Sequence, residues 1–347
     1  MKTKTTKAIC IPIAEAETIR RFLKNRNLLN TDLEIIKQKK FIYFPVKEVS
    51  YKLTSYKMVT KSFKLKNKKP NCYKEILKLP KILMEKLPTS YDVLGSIILI
   101  KLSKTLLPYQ TEIGKALLET HKNIQTVCLI DPIQGEFRTR NVTIIAGEKQ
   151  TLTTHTEYGL SFDVDVATTY FSPRLVSERM RVANLVKPGE IIVDMFAGVA
   201  PFSIMIARYA KPMVVYALDK NIEAIKLAHQ NTKQNHVLDK VEIIHADANN
   251  VKEMIPKKAN RIIMNLPFSA YKFFPIALSI ATKRCTLHYY DIAREEDIEE
   301  RIEGLKKIAS ENSFNFLDLS IRKIKTYAPR EFYIGIDITA TKHADVA

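Results

Sequence analysis

The 347-residue chain is predicted to be an α/β protein: a doubly wound, mostly parallel sheet preceded by two smaller α+β domains. Three observations predict it. Residues 191–210 read IIVDMFAGVAPFSIMIARYA, an apolar strand ending in Asp194, a tight turn around Gly198 and an apolar stretch of helical length. From Tyr170 onward, strand-length apolar runs alternate with helical patterns, which builds a parallel sheet through crossover helices. Successive strand ends carry Asp194, Asp219, Asp247 and Asn265, and ligands on such sheets bind beyond the carboxyl ends of the strands.

The elements follow in order. Residues 1–65 read as a small basic domain. It has a strand at 8–13, a helix at 14–25 with Ile19, Phe22 and Leu23 at helical spacing, and a strand at 41–46. A low-complexity basic stretch follows and passes into a linker at 66–72. Residues 73–169 read as a middle α+β domain, with a strand and internal turn at 91–100 and a helix at 108–119. Further strands are expected at 126–130, 138–146 and 160–166, and an exposed basic turn at 135–141. In residues 170–347, strands at 191–194, 214–219, 241–244, 261–265 and 285–290 alternate with helices at 222–234 and 295–312. Residues 314–324 and 332–339 read as a closing antiparallel pair.

Composition excludes several classes. The longest apolar run, residues 93–102, is broken by Gly95, Ser96 and Lys101, far short of the ~20 residues of a membrane span, so no membrane contact is expected. Cys10, Cys72, Cys128 and Cys285 form no C-x-x-C pair, so neither a metal site nor a disulfide framework is expected, and a cytoplasmic location is. Net charge is +18, and residues 1–80 hold 20 Lys/Arg against 6 Asp/Glu. So concentrated an excess is the footprint of a polyanion partner.

The strand ends form a coherent set. An acid such as Asp219, ending the second strand, suits the two hydroxyls of a ribose. Asp247 can accept from an adenine amino group, and the Asn265 amide both donates and accepts. The turn after Asp194 offers backbone N–H groups at a helix N-terminus. Of the three glycines in the dinucleotide fingerprint only Gly198 is present, so that class is set aside.

The turn resembles motif I of S-adenosylmethionine-dependent methyltransferases, D-x-F-A-G-x-G-x-F, with Ala200 in place of the second glycine. Asn265-Leu266-Pro267-Phe268 resembles the N-P-P-F/Y word of base-nitrogen methyltransferases. Residues 170–179 (YFSPRLVSER), 194–198 (DMFAG) and 263–267 (IMNLP) together resemble the archaeal and eukaryotic tRNA (guanine-37 N1)-methyltransferase family, and the likeness runs along essentially the whole chain. The resemblance implies a class I, Rossmann-like methyltransferase domain using S-adenosyl-L-methionine. It implies a middle domain that helps hold the anticodon loop, a first domain that contacts the outer corner of the tRNA, and a monomer. It implies that Glu178 is the general base, that Arg138 steadies the guanine O6, and that Asn265 positions the base. Tyr170 and Arg174 then surround the flipped guanosine. Arg179, Asp194, Phe196, Gly198, Asp219, Lys220, Asp247, Ala248, Asn265 and Pro267 hold the cofactor. Two other readings are kept. One is C7 methylation of a tricyclic, wyosine-type guanine at position 37, and the other is a non-catalytic RNA-binding module.

The chemistry suits these groups. Guanine N1 carries a proton that must leave as the new C–N bond forms, and a carboxylate of raised pKa in a partly dry site, expected of Glu178, can accept it. Charge then builds on O6, where the Arg138 guanidinium stabilises it. An unstacked base needs aromatic and apolar walls such as Tyr170, Pro267 and Phe268.

Overall fold

The computed structural model describes residues 3–47, 56–66, 70, 72–131 and 141–343. The chain forms two compact units, residues 1–75 and 76–347. Most of the expected linker (67–69 and 71), all of the basic turn but Asn141, and Arg138 itself lie outside the described residues.

In the first unit, β1 (Thr3–Pro12), α1 (Ala16–Asn25), β2 (Ile36–Gln38), β3 (Phe41–Pro45) and β4 (Lys57–Lys64) build an antiparallel sheet in the order β2-β3-β1-β4. Helix α1 buries Ala16, Ile19 and Leu23, spaced three and four apart so that they share one face. They pack on Ile9, Ile11 and Phe44, each large side chain contributing about 1.5–3 kcal/mol of burial. Part of the stretch read as basic low complexity is strand β4, which pairs with β1 from Lys57 to Lys64. Lysine-rich composition masked the one buried anchor, Phe63, which has no solvent exposure.

The second unit opens with the short helix α2 (Lys81–Glu85). Strands β5 (Asp92–Leu94) and β6 (Ile97–Ile100), helix α3 (Gln110–Thr120), and strands β7 (Thr126–Ile130) and β8 (Val142–Gly147) follow, in a sheet ordered β5-β6-β7-β8. A hairpin unforeseen in its first strand, β9 (Leu152–Glu157) with β10 (Leu160–Asp165), leads on. Its Thr- and His-rich sequence carries little apolar signal. The β5–β6 turn docks on β9 at Gly95, which takes φ +53 and where a Cβ would lie 2.4 Å from the Thr154 carbonyl oxygen. The Ser96 N–H donates to Thr153 Oγ1 at 2.9 Å.

Helix α4 (Val176–Leu185) precedes the large sheet. The chain then runs through β11 (Ile191–Asp194), α5 (Pro201–Tyr209), β12 (Val214–Asp219), α6 (Ile222–Gln234), β13 (Val241–His245), α7 (Val251–Met254), β14 (Ala259–Met264), α8 (Phe274–Ile280), β15 (Ala281–Arg294), α9 (Ile298–Glu311), β16 (Phe314–Ala328) and β17 (Glu331–Lys342), its seven strands forming the sheet. The strand order is β13-β12-β11-β14-β15-β17-β16. The first five strands run parallel, and β17 joins antiparallel to β15 and β16. The order reverses between β11 and β14, which opens a crevice at their carboxyl ends.

Two buried polar residues hold this frame. Asn231 on α6 has no solvent exposure. Its Oδ1 accepts the Asp163 N–H at 2.7 Å, and its Nδ2 donates to the Asp163 and Val199 carbonyls, each at 3.1 Å. It thus ties the β9–β10 hairpin to the turn after β11. Asp194, ending β11, accepts from Ser203 Oγ on α5 at 2.8 Å. Burial pushes its carboxyl up to about 7 from an ordinary 3.8, against the Ser203 hydrogen bond and with added repulsion from Asp219.

Asn231→Ala should lower unfolding stability by about 2–4 kcal/mol in a denaturant titration, because it strands a buried N–H and two carbonyls. Asp194 binds a proton more tightly folded than unfolded, so its contribution is complete below about pH 4 and is lost as pH rises towards about 7. The stability of the native protein relative to Asp194→Asn should therefore fall across that window, by on the order of 4 kcal/mol in total. Denaturant titrations at several pH values check it, and a difference that rises with pH would refute the assignment.

Candidate active site

Beyond the carboxyl ends of β11, β12, β13 and β14 lies a cavity of about 490 Å³. Its floor is the turn after β11, where Gly198 takes φ +57 and its N–H donates to Asp219 Oδ2 at 2.6 Å. Ala200 caps α5 in the left-handed region at φ +64, a conformation costing a non-glycine residue about 1–2 kcal/mol. Asp219 Oδ1 accepts the Asn221 N–H at 2.8 Å. Burial raises the Asp219 carboxyl above its usual range despite donation from the Asn221, Gly198 and Lys220 N–H groups. Such a group gains from further donors, and two adjacent hydroxyls would supply them.

Asp247 caps the next turn, accepting the Asn249 N–H at 2.9 Å, and pairs with Lys220 Nζ at 3.0 Å. The Asn249 N–H and then Lys220 hold its carboxyl below the ordinary range. Asn265 follows β14, and its Oδ1 accepts from the buried Tyr333 hydroxyl. Phe268 takes φ +75, fixed by donation of its N–H to the buried Asp291 Oδ1 at 3.2 Å. Its ring meets Tyr327 edge to face, with centroids 5.6 Å apart, and both line the cavity while remaining half exposed. On the other wall, Phe196 packs edge to face on Phe273 at 5.1 Å.

The cavity brings together Tyr170, Arg179, Phe196, Gly198, Asp219, Lys220, Asp247, Ala248, Asn265 and Pro267. Arg179 sits in its wall with 1% exposure. It donates from Nε to Glu157 Oε2 at 2.8 Å and from Nη2 to the Ser172 carbonyl at 3.1 Å, so it anchors the Tyr170–Ser172 segment. Asp194 does not line the cavity; it lies beneath, bonded to Ser203. Arg174 also stands apart, its Nε donating to Asp92 Oδ1 on β5 at 2.7 Å.

Glu178 lies one layer behind the cavity wall, buried on α4. Its Oε1 and Oε2 accept from Arg181 at 2.7 and 2.9 Å, and Oε1 also accepts from the Tyr290 hydroxyl at 2.8 Å and Arg322 Nη2 at 3.3 Å. Asp337 completes the cluster, accepting from Arg181 Nη1 at 2.8 Å and Arg322 Nη2 at 3.0 Å. Glu178 does not have the raised pKa expected of it. Burial pushes the carboxyl up, but the Arg181 and Tyr290 hydrogen bonds and the arginine charges outweigh it, and the net shift is down. Sequence reasoning missed Arg181, Tyr290, Arg322, Tyr333 and Asp337. One signal was legible: Asp337 interrupts the apolar run Ile334-Gly335-Ile336-Asp337-Ile338.

Residues 153–317 match the TRM5/TYW2 methyltransferase domain, residues 73–151 the TYW2 N-terminal domain and residues 8–53 the tRNA methyltransferase 5 N-terminal domain. The tRNA (guanine(37)-N(1))-methyltransferase Trm5b of Pyrococcus abyssi is 38% identical over 96% of this chain and 98% of its own. The complex structure of aTrm5 and tRNALeu superposes with a TM-score of 0.79 at 34% identity, covering 96% of this chain and 99% of that one. A paralogue from Pyrococcus horikoshii is 34% identical over 78% of this chain and 96% of its own. It is named a tRNA(Phe) (4-demethylwyosine(37)-C(7)) aminocarboxypropyltransferase, so the C7 alternative as a methyl transfer is not what this paralogue's name describes. The chain belongs to the tRNA (guanine-37 N1)-methyltransferase family.

Proposed function

We propose that this protein methylates N1 of guanosine 37 in the tRNA anticodon loop. The observation that carries this reading is that the likeness runs through the first unit as well as the methyltransferase domain, over nearly the full length of both chains. S-adenosyl-L-methionine is the methyl donor and supplies an electrophilic methyl group. The residues present suit it: Asp219 is a half-buried carboxylate lining the cavity, fit for ribose hydroxyls, and Asp247 stands where an adenine amino group can donate. Tyr170, Pro267 and Phe268 offer walls for an unstacked base.

Glu178 is the proton acceptor in this reading. The arginines keep it ionised at neutral pH, which is the state that can take a proton. Arg174 and Arg138 are assigned to the base and its loop, with Arg138 set against the charge that builds on O6. The basic first unit contacts the outer corner of the tRNA, and the protein acts as a monomer. Four free cysteines fit a reducing compartment, the cytoplasm. No described helix is long and apolar enough to cross a membrane.

Mass spectrometry of tRNA nucleosides after incubation with the methyl donor tests the proposal: 1-methylguanosine at position 37 is expected, and any other modified atom or position overturns it. Glu178→Gln should cut kcat by about a hundredfold or more while leaving S-adenosylhomocysteine affinity unchanged in calorimetry; equal rates remove the assigned role. Because the Glu178 carboxyl is held below its ordinary 4.5, it stays ionised down to that pH. Its protonation should therefore produce no acid limb in kcat/KM above about pH 5. Lys37, Lys39 and Lys40 stand exposed at the β2–β3 turn. Changing all three to Gln should lower the salt slope of tRNA binding by up to about 2–3, at ~0.7–0.9 per phosphate contact. An unchanged slope would place that turn away from RNA.

A further inference from the structure

Two tyrosines from the antiparallel part of the sheet reach the site residues from behind. Tyr290 on β15 donates to Glu178, and Tyr333 on β17 donates to Asn265 Oδ1. Gly335 lies opposite Tyr290 in the ladder, and a Cβ there would come within 3.2 Å of the Tyr290 ring. The two tyrosine rings pack with centroids 6.0 Å apart. Tyr333 is 1% exposed, sits on a strand paired on both sides, opposite Ile292 and Lys325, and carries the Lys325 ammonium 5.0 Å from its ring centroid. Its ring is therefore fixed.

This contact has a chemical consequence. A free carboxamide presents either its carbonyl or its NH2 by a half-turn, and so bonds equally to a donor or an acceptor. A buried phenolic proton needs an acceptor, and at Asn265 that acceptor is the carbonyl end. Tyr333 takes one of the two Oδ1 lone pairs and so sets which way the amide faces; the Nδ2 end held in this way can only donate. On the pairing edge of a purine, guanine carries an acceptor at position 6, a carbonyl, where adenine carries a donor, an amino group.

We propose that Tyr333 is a specificity-determining positioning residue. By holding the Asn265 carbonyl, it presents the amide NH2 to position 6 of the incoming purine, so the site favours a 6-oxo base over a 6-amino one. The inference rests on the reading that a tRNA purine enters this cavity. Tyr333 acts through Asn265 and need not touch the base.

The test compares full-length native protein with Tyr333→Phe on two transcripts, one with guanosine at position 37 and one with 6-thioguanosine. Both bases keep the N1 proton, but sulfur is a poor acceptor. Intrinsic differences between the two bases cancel when the thio effect is compared across the two enzymes. Tyr333→Phe should lower kcat on the guanosine transcript about tenfold or more, with S-adenosylhomocysteine affinity unchanged. It should also shrink the thio effect on kcat/KM by about tenfold. A thio effect of equal size in both enzymes overturns the inference, whatever the loss of rate, because Tyr333 would then be merely structural. Native protein that leaves N1 of guanosine 37 unmodified overturns the underlying reading, and this inference with it.

Discussion

The site depends on how two arginines on one helix are neutralised. Arg179 and Arg181 stand two residues apart on α4 and so project from roughly opposite sides. Each meets an acid carried by a distant strand: Glu157 on β9 for Arg179, and Asp337 on β17, together with Glu178, for Arg181. Leaving the buried Arg179 charge unpaired would cost about 3–5 kcal/mol, and the half-buried Arg181 less, so α4 is held where both acids can be reached. That placement sets the Ser172 carbonyl on Arg179 and the Tyr170 segment against the cavity. It also buries Glu178 behind the wall rather than on a helix surface.

The same logic extends across adjacent strands of the sheet. Arg261 on β14 lies 2.7 Å from His288 Nε2, and His288 Nδ1 lies 2.6 Å from Asp337 Oδ1. A guanidinium can only donate, so Nε2 is the acceptor, Nδ1 carries the proton, and the imidazole is neutral. Burial drives the His288 pKa down, against its Asp337 hydrogen bond. Asp337 is pushed up by burial, but His288 and the two arginines hold it well below the ordinary carboxylate range. Both groups bind fewer protons folded than unfolded, so the stability they contribute is present at neutral pH and is lost on the acid side. Asp337 thus links the helix that carries Glu178 directly, and through His288 the strand that Asn265 follows.

The legible part of this architecture is the part written in short-range patterns. Strand β12 and helix α6 follow from a continuous apolar run, Val214 to Leu218, giving way to apolar residues at helical spacing, and the strand-end acids stand out because they close apolar runs. What separates Asp219 from Asp194 is less visible. Both end parallel strands, but Asp194 faces a serine nine residues on and is sealed beneath the turn, whereas Asp219 takes the Gly198 N–H and opens to the cavity. Of the partners of Glu178 only Arg181 is local, three residues on; Tyr290 and Arg322 come from strands more than 100 residues away. That distance is why burial alone suggested a raised pKa. Strand β4 was hidden for another reason: its three lysines dominate the composition, while Phe63 is its one fully buried side chain and Met58 and Val59 are only half-buried.

The charge state of the cavity itself favours the ligand inferred for it. Asp247 is already answered by Lys220, and the acids behind the wall are answered by arginines. Asp219 is different, because desolvation raises its proton affinity by more than its three backbone N–H donors offset. Filling the cavity with a ligand that brings hydroxyl donors to Asp219 and a positive charge nearby would relieve that deficit, whereas an anionic ligand would deepen it. A cationic sulfonium nucleoside satisfies both demands, and it does so without disturbing the arginine cluster that keeps Glu178 ionised. The charge state of the cavity and the protonation state of Glu178 are therefore set by separate groups of residues.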